Sequence, residues 1–184
     1  MLNDLEDRII KGAKKAHITY LEMNDYYLHH APEHFLQNEI ARTIWQKGNG
    51  NDIYIDKSNA QVLKELDSTN KKGRPRDDAS KRFDITVFKR SEKQIKAVIE
   101  IKRGDHISFQ SLRKDTKKIE HSAKSPNGAK LGYLLVYSVR KKEEKIRDDF
   151  KKWEKRLKWE LRENIIESDG KWTWGIGLFK FSLR

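Results

Sequence analysis

The most apolar run of the chain, residues 131–137 (LGYLLVY), restricts the fold more than any other feature. It contains no charged side chain, and its large residues are branched or aromatic. An unbroken apolar segment of this length is typical of a strand that is covered on both faces. We therefore expect residues 131–137 to form a central strand of a sheet.

Apolar periodicity elsewhere predicts the elements that surround this strand. Residues spaced by three and four positions indicate amphipathic helices, and short alternating or apolar segments indicate further strands. The predicted helices span residues 2–28, 32–45, 108–123 and 141–164, and the other predicted strands span 52–56, 82–88, 95–102 and 172–179. With 184 residues, this order predicts one mixed α/β domain around a single core.

The chain is strongly basic, with 40 Lys and Arg against 28 Asp and Glu and a formal net charge of +12. This excess favours a polyanionic partner, because each phosphate that a basic side chain neutralises releases condensed counterions. A basic protein without such a partner is the alternative. The absence of cysteine excludes disulfides and thiolate metal sites. The acidic N-terminus and the lack of a long apolar run predict a soluble, cytoplasmic protein with no membrane partner.

Five acid-x-Lys pairs stand out in the sequence, but only Glu100 and Lys102 lie on a predicted strand. Residues two apart on a strand project from the same face, whereas residues two apart on a helix do not share a face. The other four pairs fall in predicted helices or straddle a turn: Asp115/Lys117, Glu143/Lys145, Asp149/Lys151 and Asp169/Lys171. The strand context therefore distinguishes Glu100 and Lys102 from these pairs.

The neighbours of Glu100 and Lys102 are apolar, which makes charges costly there unless they are paired or bind a metal. Asp84, on the preceding predicted strand, can lie beside Glu100 when the two strands pair as a hairpin. Two neighbouring carboxylates repel each other, and a divalent cation resolves the conflict. The structural alternative is that Asp84 caps a strand while Glu100 and Lys102 belong to a cross-strand charge ladder.

These residues resemble the motif of the PD-(D/E)xK nuclease superfamily, the restriction-endonuclease-like group. The match consists of Phe83-Asp84 and the segment AVIEIK ending at Lys102, with fifteen residues between Asp84 and Glu100 and with Glu39 upstream. Phe83 stands where the family name has proline. The resemblance covers about residues 32–137 and implies an αβββαβ core, a mixed β-sheet flanked by helices. Residues 1–30 are then an N-terminal helical extension, and residues 138–184 a C-terminal helix and strand of the same domain.

The resemblance also implies roles for individual residues. Asp84, Glu100 and the backbone carbonyl of Ile101 would hold Mg²⁺ or Mn²⁺, which prefer hard oxygen ligands. Lys102 would position the attacking water, and the metal would lower the pKa of that water. Glu39 resembles the helix acid that many members place near the metal. On the helix after the motif, Gln110 and Asp115 are candidates for a further polar site residue.

Basic residues flank the motif on both sides and are candidates for contacts to nucleic-acid phosphates, which position a substrate without reading its sequence. They are Lys72, Arg74, Arg76, Lys81, Arg82 and Arg103. The alternative is that the segment before Asp84 is an ordinary solvated loop.

These observations leave three hypotheses. The favoured one is a Mg²⁺-dependent endonuclease acting on DNA in preference to RNA. The second is a nuclease-like protein that binds nucleic acid without cleaving it. The third is a protein-binding subunit of a larger defence or repair assembly, in which the Trp-rich C-terminal segment forms an exposed apolar patch. A homodimer is one assembly that would allow both DNA strands to be cut.

Overall fold

The computed structural model of the protein describes residues 3–45, 50–58, 61–62, 82–104, 107–124 and 128–182. Its principal helices are α1 (Asp4–Asn24), α2 (Glu33–Ile44), α3 (Phe109–Lys124) and α4 (Glu143–Leu157). Its strands are β1 (Asn51–Ser58), β2 (Arg82–Lys89), β3 (Gln94–Gly104), β4 (Leu131–Arg140), β5 (Glu160–Ser168) and β6 (Thr173–Ser182). A 3-10 turn, Leu28–His30, lies between α1 and α2.

The six strands form one mixed sheet in the order β1-β2-β3-β4-β6-β5. Strands β3 and β4 are parallel and are connected through α3, whereas every other neighbouring pair is antiparallel. The apolar run at 131–137 lies in β4, between β3 and β6, and residues 132–139 are buried. The prediction of a central strand and a mixed α/β fold is confirmed.

Helices cover both faces of the sheet, and each face has its own core. On one face, α1 and α2 pack against residues that include Ile99 of β3. On the other face, α3 and α4 pack against residues that include Val98 of β3. Because side chains alternate along a strand, Glu100 and Lys102 lie on the same face of β3 as Val98 and project towards α3.

A glycine on β4 allows α3 to approach the sheet closely. A Cβ atom placed on Gly132 would overlap the side chain of Ile119 on α3. Both Ile119 and the backbone around Gly132 are buried. This close packing holds the middle of α3 over the sheet, next to the part of β3 that carries Glu100.

The prediction of one helix over 141–164 is wrong for residues 158–164. Helix α4 ends at Leu157, and Lys158 adopts the left-handed conformation (φ 58°), with its N–H donated to the carbonyl of Glu154. The following residues form β5, in which Ile165 pairs with Ile176 of β6. The apolar positions 157, 161 and 165 continue a helical spacing by coincidence, and pairing with β6 decides the conformation.

The C-terminal tryptophans do not form the exposed apolar patch that was predicted alongside the third hypothesis. Trp174 is 5% exposed and packs in the core beneath α1 and α2, whereas Trp159 is 4% exposed and packs in the core beneath α3 and α4. Trp172 is only partly buried and packs against the core beneath α1 and α2. In the described segments, no helix is both long enough and apolar enough to span a membrane.

Candidate functional site

Asp84 lies where strands β2 and β3 separate. The backbone pairing of the two strands reaches Ile85 and Ile99. One residue further, Asp84 Oδ2 accepts the N–H of Ile101 at 2.6 Å. The carboxyl group thus bridges the two strands at the point where the regular ladder ends. Burial raises the pKa of Asp84, although the Ile101 N–H and the nearby lysines act in the opposite direction.

Glu100 is almost completely buried beside Asp84, with 3% of its surface exposed. Burial, followed by the neighbouring charge of Asp84, raises the pKa of Glu100 to about 8. Lys118 Nζ lies 2.5 Å from Glu100 Oε1, and its positive charge opposes this rise in pKa without cancelling it. Lys118 thus places a positive charge against this buried carboxyl oxygen.

Lys102 projects from the same face of β3 and pairs with an acid of α3. Its Nζ lies 2.9 Å from Asp115 Oδ2. Burial lowers the pKa of Lys102, but the contact with Asp115 and the charges of nearby carboxylates outweigh burial and raise it. Lys102 therefore remains a protonated, positively charged donor in the neutral range.

Helix α3 contributes Asp115 and Lys118 to this cluster. Lys118 Nζ donates to the carbonyl of Arg82 at 2.6 Å and lies 5.0 Å from the centroid of the Phe83 ring. Lys118 was not among the site residues predicted from the sequence. The sequence does contain a signal for Lys118, because Asp115 falls on the apolar stripe of α3 and Lys118 follows it by one helical turn. In the structure Asp115 is 7% exposed. We name Asp84, Glu100, Lys102, Asp115 and Lys118 the carboxylate–lysine cluster.

Helix α2 reaches this cluster through Gln37, which was not among the site residues predicted from the sequence. Gln37 Nε2 donates to Asp84 Oδ1 at 3.0 Å, and Gln37 Oε1 lies 2.7 Å from His34 Nδ1. Glu39 is two residues further along α2, on a different face of the helix. It forms ion pairs with Lys15 at 3.3 Å and Arg42 at 3.7 Å. The structure therefore brings Gln37, and not Glu39, into contact with Asp84.

The remaining predicted residues lie in different environments. Gln110 is exposed on the first turn of α3. Arg82 is exposed and forms an ion pair with Asp56 at 3.3 Å. Arg103 donates to the carbonyls of Leu28 and Ala31, so its guanidinium secures the turn between α1 and α2. This use within the fold does not support its prediction as a phosphate contact. The candidates Lys72, Arg74, Arg76 and Lys81 lie outside the described residues.

The four other acid-x-Lys pairs occupy the settings that the sequence predicted. Asp115/Lys117 lies on α3, Glu143/Lys145 and Asp149/Lys151 lie on α4, and Asp169/Lys171 follows β5. Only the pair on β3 has both members on one face of a strand. The carboxylate–lysine cluster is therefore the one place where this spacing joins an acid and a lysine on the same side of the sheet.

The donor set at Asp84 and Glu100 fits a small, hard cation only if waters complete its coordination. Among residues with described positions, no group of three or more His, Asp or Glu is placed to bind a metal by itself. Mg²⁺, however, is commonly held by one or two carboxylates and keeps several waters. The buried carboxyl group of Glu100 and the partly buried one of Asp84, which lie beside the Ile101 backbone, match that pattern.

Compared with protein-family models, with curated proteins and with solved structures, the chain shows no match.

Proposed function

We propose that this protein is a metal-dependent endonuclease that hydrolyses phosphodiester bonds of DNA and has a restriction-endonuclease-like core. The observation that carries the proposal is the meeting of Asp84, Glu100 and Lys102 at the diverging end of β2 and β3. The order of elements from α2 to β4, which is helix, three strands, helix and strand, is consistent with the PD-(D/E)xK motif.

The metal would be Mg²⁺ or Mn²⁺, held by Asp84, Glu100 and the carbonyl of Ile101. When bound, such an ion lowers the pKa of a coordinated water and offsets the charge of the scissile phosphate. Glu100 must lose its proton to become a ligand, and its raised pKa opposes this loss. Metal affinity is therefore expected to increase as the pH rises towards about 8.

Lys102 would act as a positively charged donor and not as a general base. Its pKa is raised, so it carries a proton at neutral pH. Asp115 holds its ammonium group at 2.9 Å, which limits the positions available to Nζ. From there Lys102 would donate a hydrogen bond to the attacking water or to a phosphate oxygen. Gln37 and the Ile101 N–H would meanwhile keep the Asp84 carboxylate in a fixed orientation.

The test is a cleavage assay on supercoiled, linear and single-stranded DNA with Mg²⁺ or Mn²⁺. We expect the purified protein to nick or cut, and we expect Asp84→Asn and Lys102→Ala each to reduce the rate by about 100-fold or more. The control is Glu143→Ala/Lys145→Ala, which removes the same acid-x-Lys spacing from the surface of α4. Cutting that survives both site substitutions would contradict the proposal.

A second candidate, a nuclease-like protein that binds nucleic acid without cutting it, is favoured by the ion pairs of the cluster. Lys118 already pairs with Glu100, and Lys102 already pairs with Asp115. These pairs partly balance the carboxylates without a metal. Calorimetric titration with Mn²⁺ separates the two candidates. Salt-dependent DNA binding together with no heat of Mn²⁺ binding would favour the second.

A further inference from the structure

We propose that the groove between α3 and α4 binds the phosphate backbone of DNA, an inference that deepens the proposed function and rests on it. The groove encloses about 400 Å³. Arg113 and Lys117 line it from α3, and Arg156 lines it from α4, while Phe109 and Leu157 supply apolar surface. We call this surface the α3–α4 groove.

Among the described residues, the basic side chains of the α3–α4 groove form no ion pair with an acid, unlike many other basic side chains there. Within the part of the chain that is described, no carboxylate forms an ion pair with Arg113, Lys117 or Arg156. By contrast, Arg140 and Arg147 are each paired with an acid. Positive charges that share a groove repel one another, and a bound polyanion relieves that repulsion.

The acid in the groove is already engaged within the fold. Glu120 Oε1 accepts the indole N–H of Trp159 at 3.1 Å, and Trp159 is itself buried. This hydrogen bond holds the carboxylate towards the wall of the groove. The opening thus keeps an excess of positive charge, with three basic groups against one acid.

Arg156 is held in a geometry that suits phosphate binding. Its guanidinium carbon lies 3.7 Å from the centroid of the Phe109 ring, which is a cation–π contact. Stacking uses the flat face of the guanidinium, whereas phosphate oxygens are bound by its N–H edge. Phe109 therefore orders the side chain in advance and reduces the entropy that Arg156 would lose on binding DNA.

The α3–α4 groove and the carboxylate–lysine cluster lie on opposite flanks of the same helix. Asp115 and Lys118 face β3, while Arg113 and Lys117 face α4. An α-helix is about 10–12 Å wide, and a DNA strand carries one phosphate per about 3.4 Å of helix axis. A strand cut at the cluster would therefore reach the groove within a few nucleotides.

A second concave surface does not share this charge pattern. The groove at the start of α4 is lined by Lys141, Lys142 and Lys145, but Glu143, Glu144 and Asp148 line it as well. Its charges balance, so it offers no excess positive charge to a polyanion. This contrast selects the α3–α4 groove as the DNA-binding surface.

The experiment compares two triple variants that remove the same charge from exposed positions. The groove variant is Arg113→Gln/Lys117→Gln/Arg156→Gln, and the control is Lys151→Gln/Lys155→Gln/Lys171→Gln. Fluorescence anisotropy with labelled duplex DNA in EDTA gives Kd at several salt concentrations. We expect the groove variant to bind at least about tenfold more weakly, and its slope of log Kd against log salt to fall by about 2–3, at about 0.9 per phosphate contact. The control should change Kd by less than about threefold.

Two further measurements keep the result interpretable. Circular dichroism melting should show that both triple variants remain folded, and Arg113→Lys/Arg156→Lys, which keeps the charge, should retain most of the salt dependence. A groove variant that binds DNA as tightly as the control overturns the inference. So does one that keeps DNA binding but loses binding to polyglutamate, because the groove would then fit an acidic protein.

Failure of this inference can be distinguished from failure of the proposed function. Binding in EDTA does not require the metal. If the natural protein cuts no DNA but the groove variant loses binding, the groove stands and the nuclease proposal fails. If the natural protein cuts DNA and the groove variant binds and cuts normally, the groove alone is wrong.

Discussion

Replacing Glu100 with Gln should stabilise the protein while removing its response to metal. The Glu100 carboxyl is 3% exposed, and burial raises its pKa from 4.5 to about 8. At pH 7 the unfolded chain carries this group ionised, whereas the folded protein carries it mostly protonated. Glu100 must therefore take up a proton on folding, at a pH that is about 2.5 units above its pKa in the unfolded chain. This uptake costs about 3 kcal/mol.

The sign of the pH dependence follows from the raised pKa. The stabilising contribution of protonated Glu100 is complete below pH 4.5 and is lost as the pH rises through about 8. Gln is nearly isosteric and has no proton to gain, so Glu100→Gln removes this loss. We expect the variant to gain up to about 3 kcal/mol at pH 7 but less than about 1 kcal/mol at pH 5.

The assay is thermal unfolding of both proteins at pH 5 and pH 7, with and without Mn²⁺. For a chain of this size, a gain of about 3 kcal/mol corresponds to a rise in Tm of about 6–12 °C. Mn²⁺ should raise the Tm of the natural protein and leave that of Glu100→Gln unchanged. The matched control is Glu143→Gln, at an exposed ion pair with Arg147, which should shift stability by less than about 0.5 kcal/mol.

The opposite result would refute this reasoning. If Glu100→Gln lost stability at pH 7 by an amount that did not depend on pH, Glu100 would be an ionised partner of Lys118. The Glu100 carboxylate would then stabilise the fold through its contact with Lys118 at 2.5 Å. Repulsion from Asp84 would not be strong enough to keep Glu100 protonated.

Three other substitutions test separate parts of the structure. Gln37→Leu removes the donor to Asp84 Oδ1 and should weaken Mn²⁺ binding by about 10–100-fold in calorimetry. The control His34→Ala removes only the contact between His34 and Gln37, so it should change Mn²⁺ affinity by less than about threefold. Burial lowers the pKa of His17 from 6.5 to about 4, so its stabilising contribution is present above pH 6.5 and is lost as the pH falls towards 4. In urea titrations the natural protein should therefore lose about 2 kcal/mol more than His17→Phe between pH 7 and pH 5, and equal losses would contradict the assignment. Gly132→Ala should cost about 1–3 kcal/mol, because its Cβ would overlap Ile119, and an unchanged Tm would show that α3 can move away from β4.

The central strand and most of the elements could be predicted from local patterns. The run at 131–137 is apolar throughout, and this pattern alone is enough to predict a strand that is buried on both faces. The error at 158–164 shows where such patterns fail. Positions 157, 161 and 165 satisfy a helical spacing, yet residues 160–168 pair with β6. That pairing is a contact between distant segments, so the spacing of apolar residues within 158–164 does not reveal it.

The candidate site divides in the same way. Asp84, Glu100 and Lys102 belong to neighbouring strands, so the alternation of a hairpin was enough to predict that they lie close together. Gln37 and Lys118 come from helices on opposite faces of the sheet. Their positions depend on how α2 and α3 pack, which a single sequence does not specify. The contacts of Arg103 could not be predicted for the same reason, since its partners are backbone carbonyls more than 70 residues away.

The most direct test of the proposed metal site is the position of manganese in crystals grown with Mn²⁺. Anomalous scattering at the manganese edge should give one peak, at a Mn²⁺ ion coordinated by Asp84, Glu100 and the carbonyl of Ile101. In Glu100→Gln crystals under the same conditions that peak should disappear. A peak bonded to other residues, or none at the Mn²⁺ concentration that supports cutting, would contradict the assignment of these carboxylates as the metal ligands.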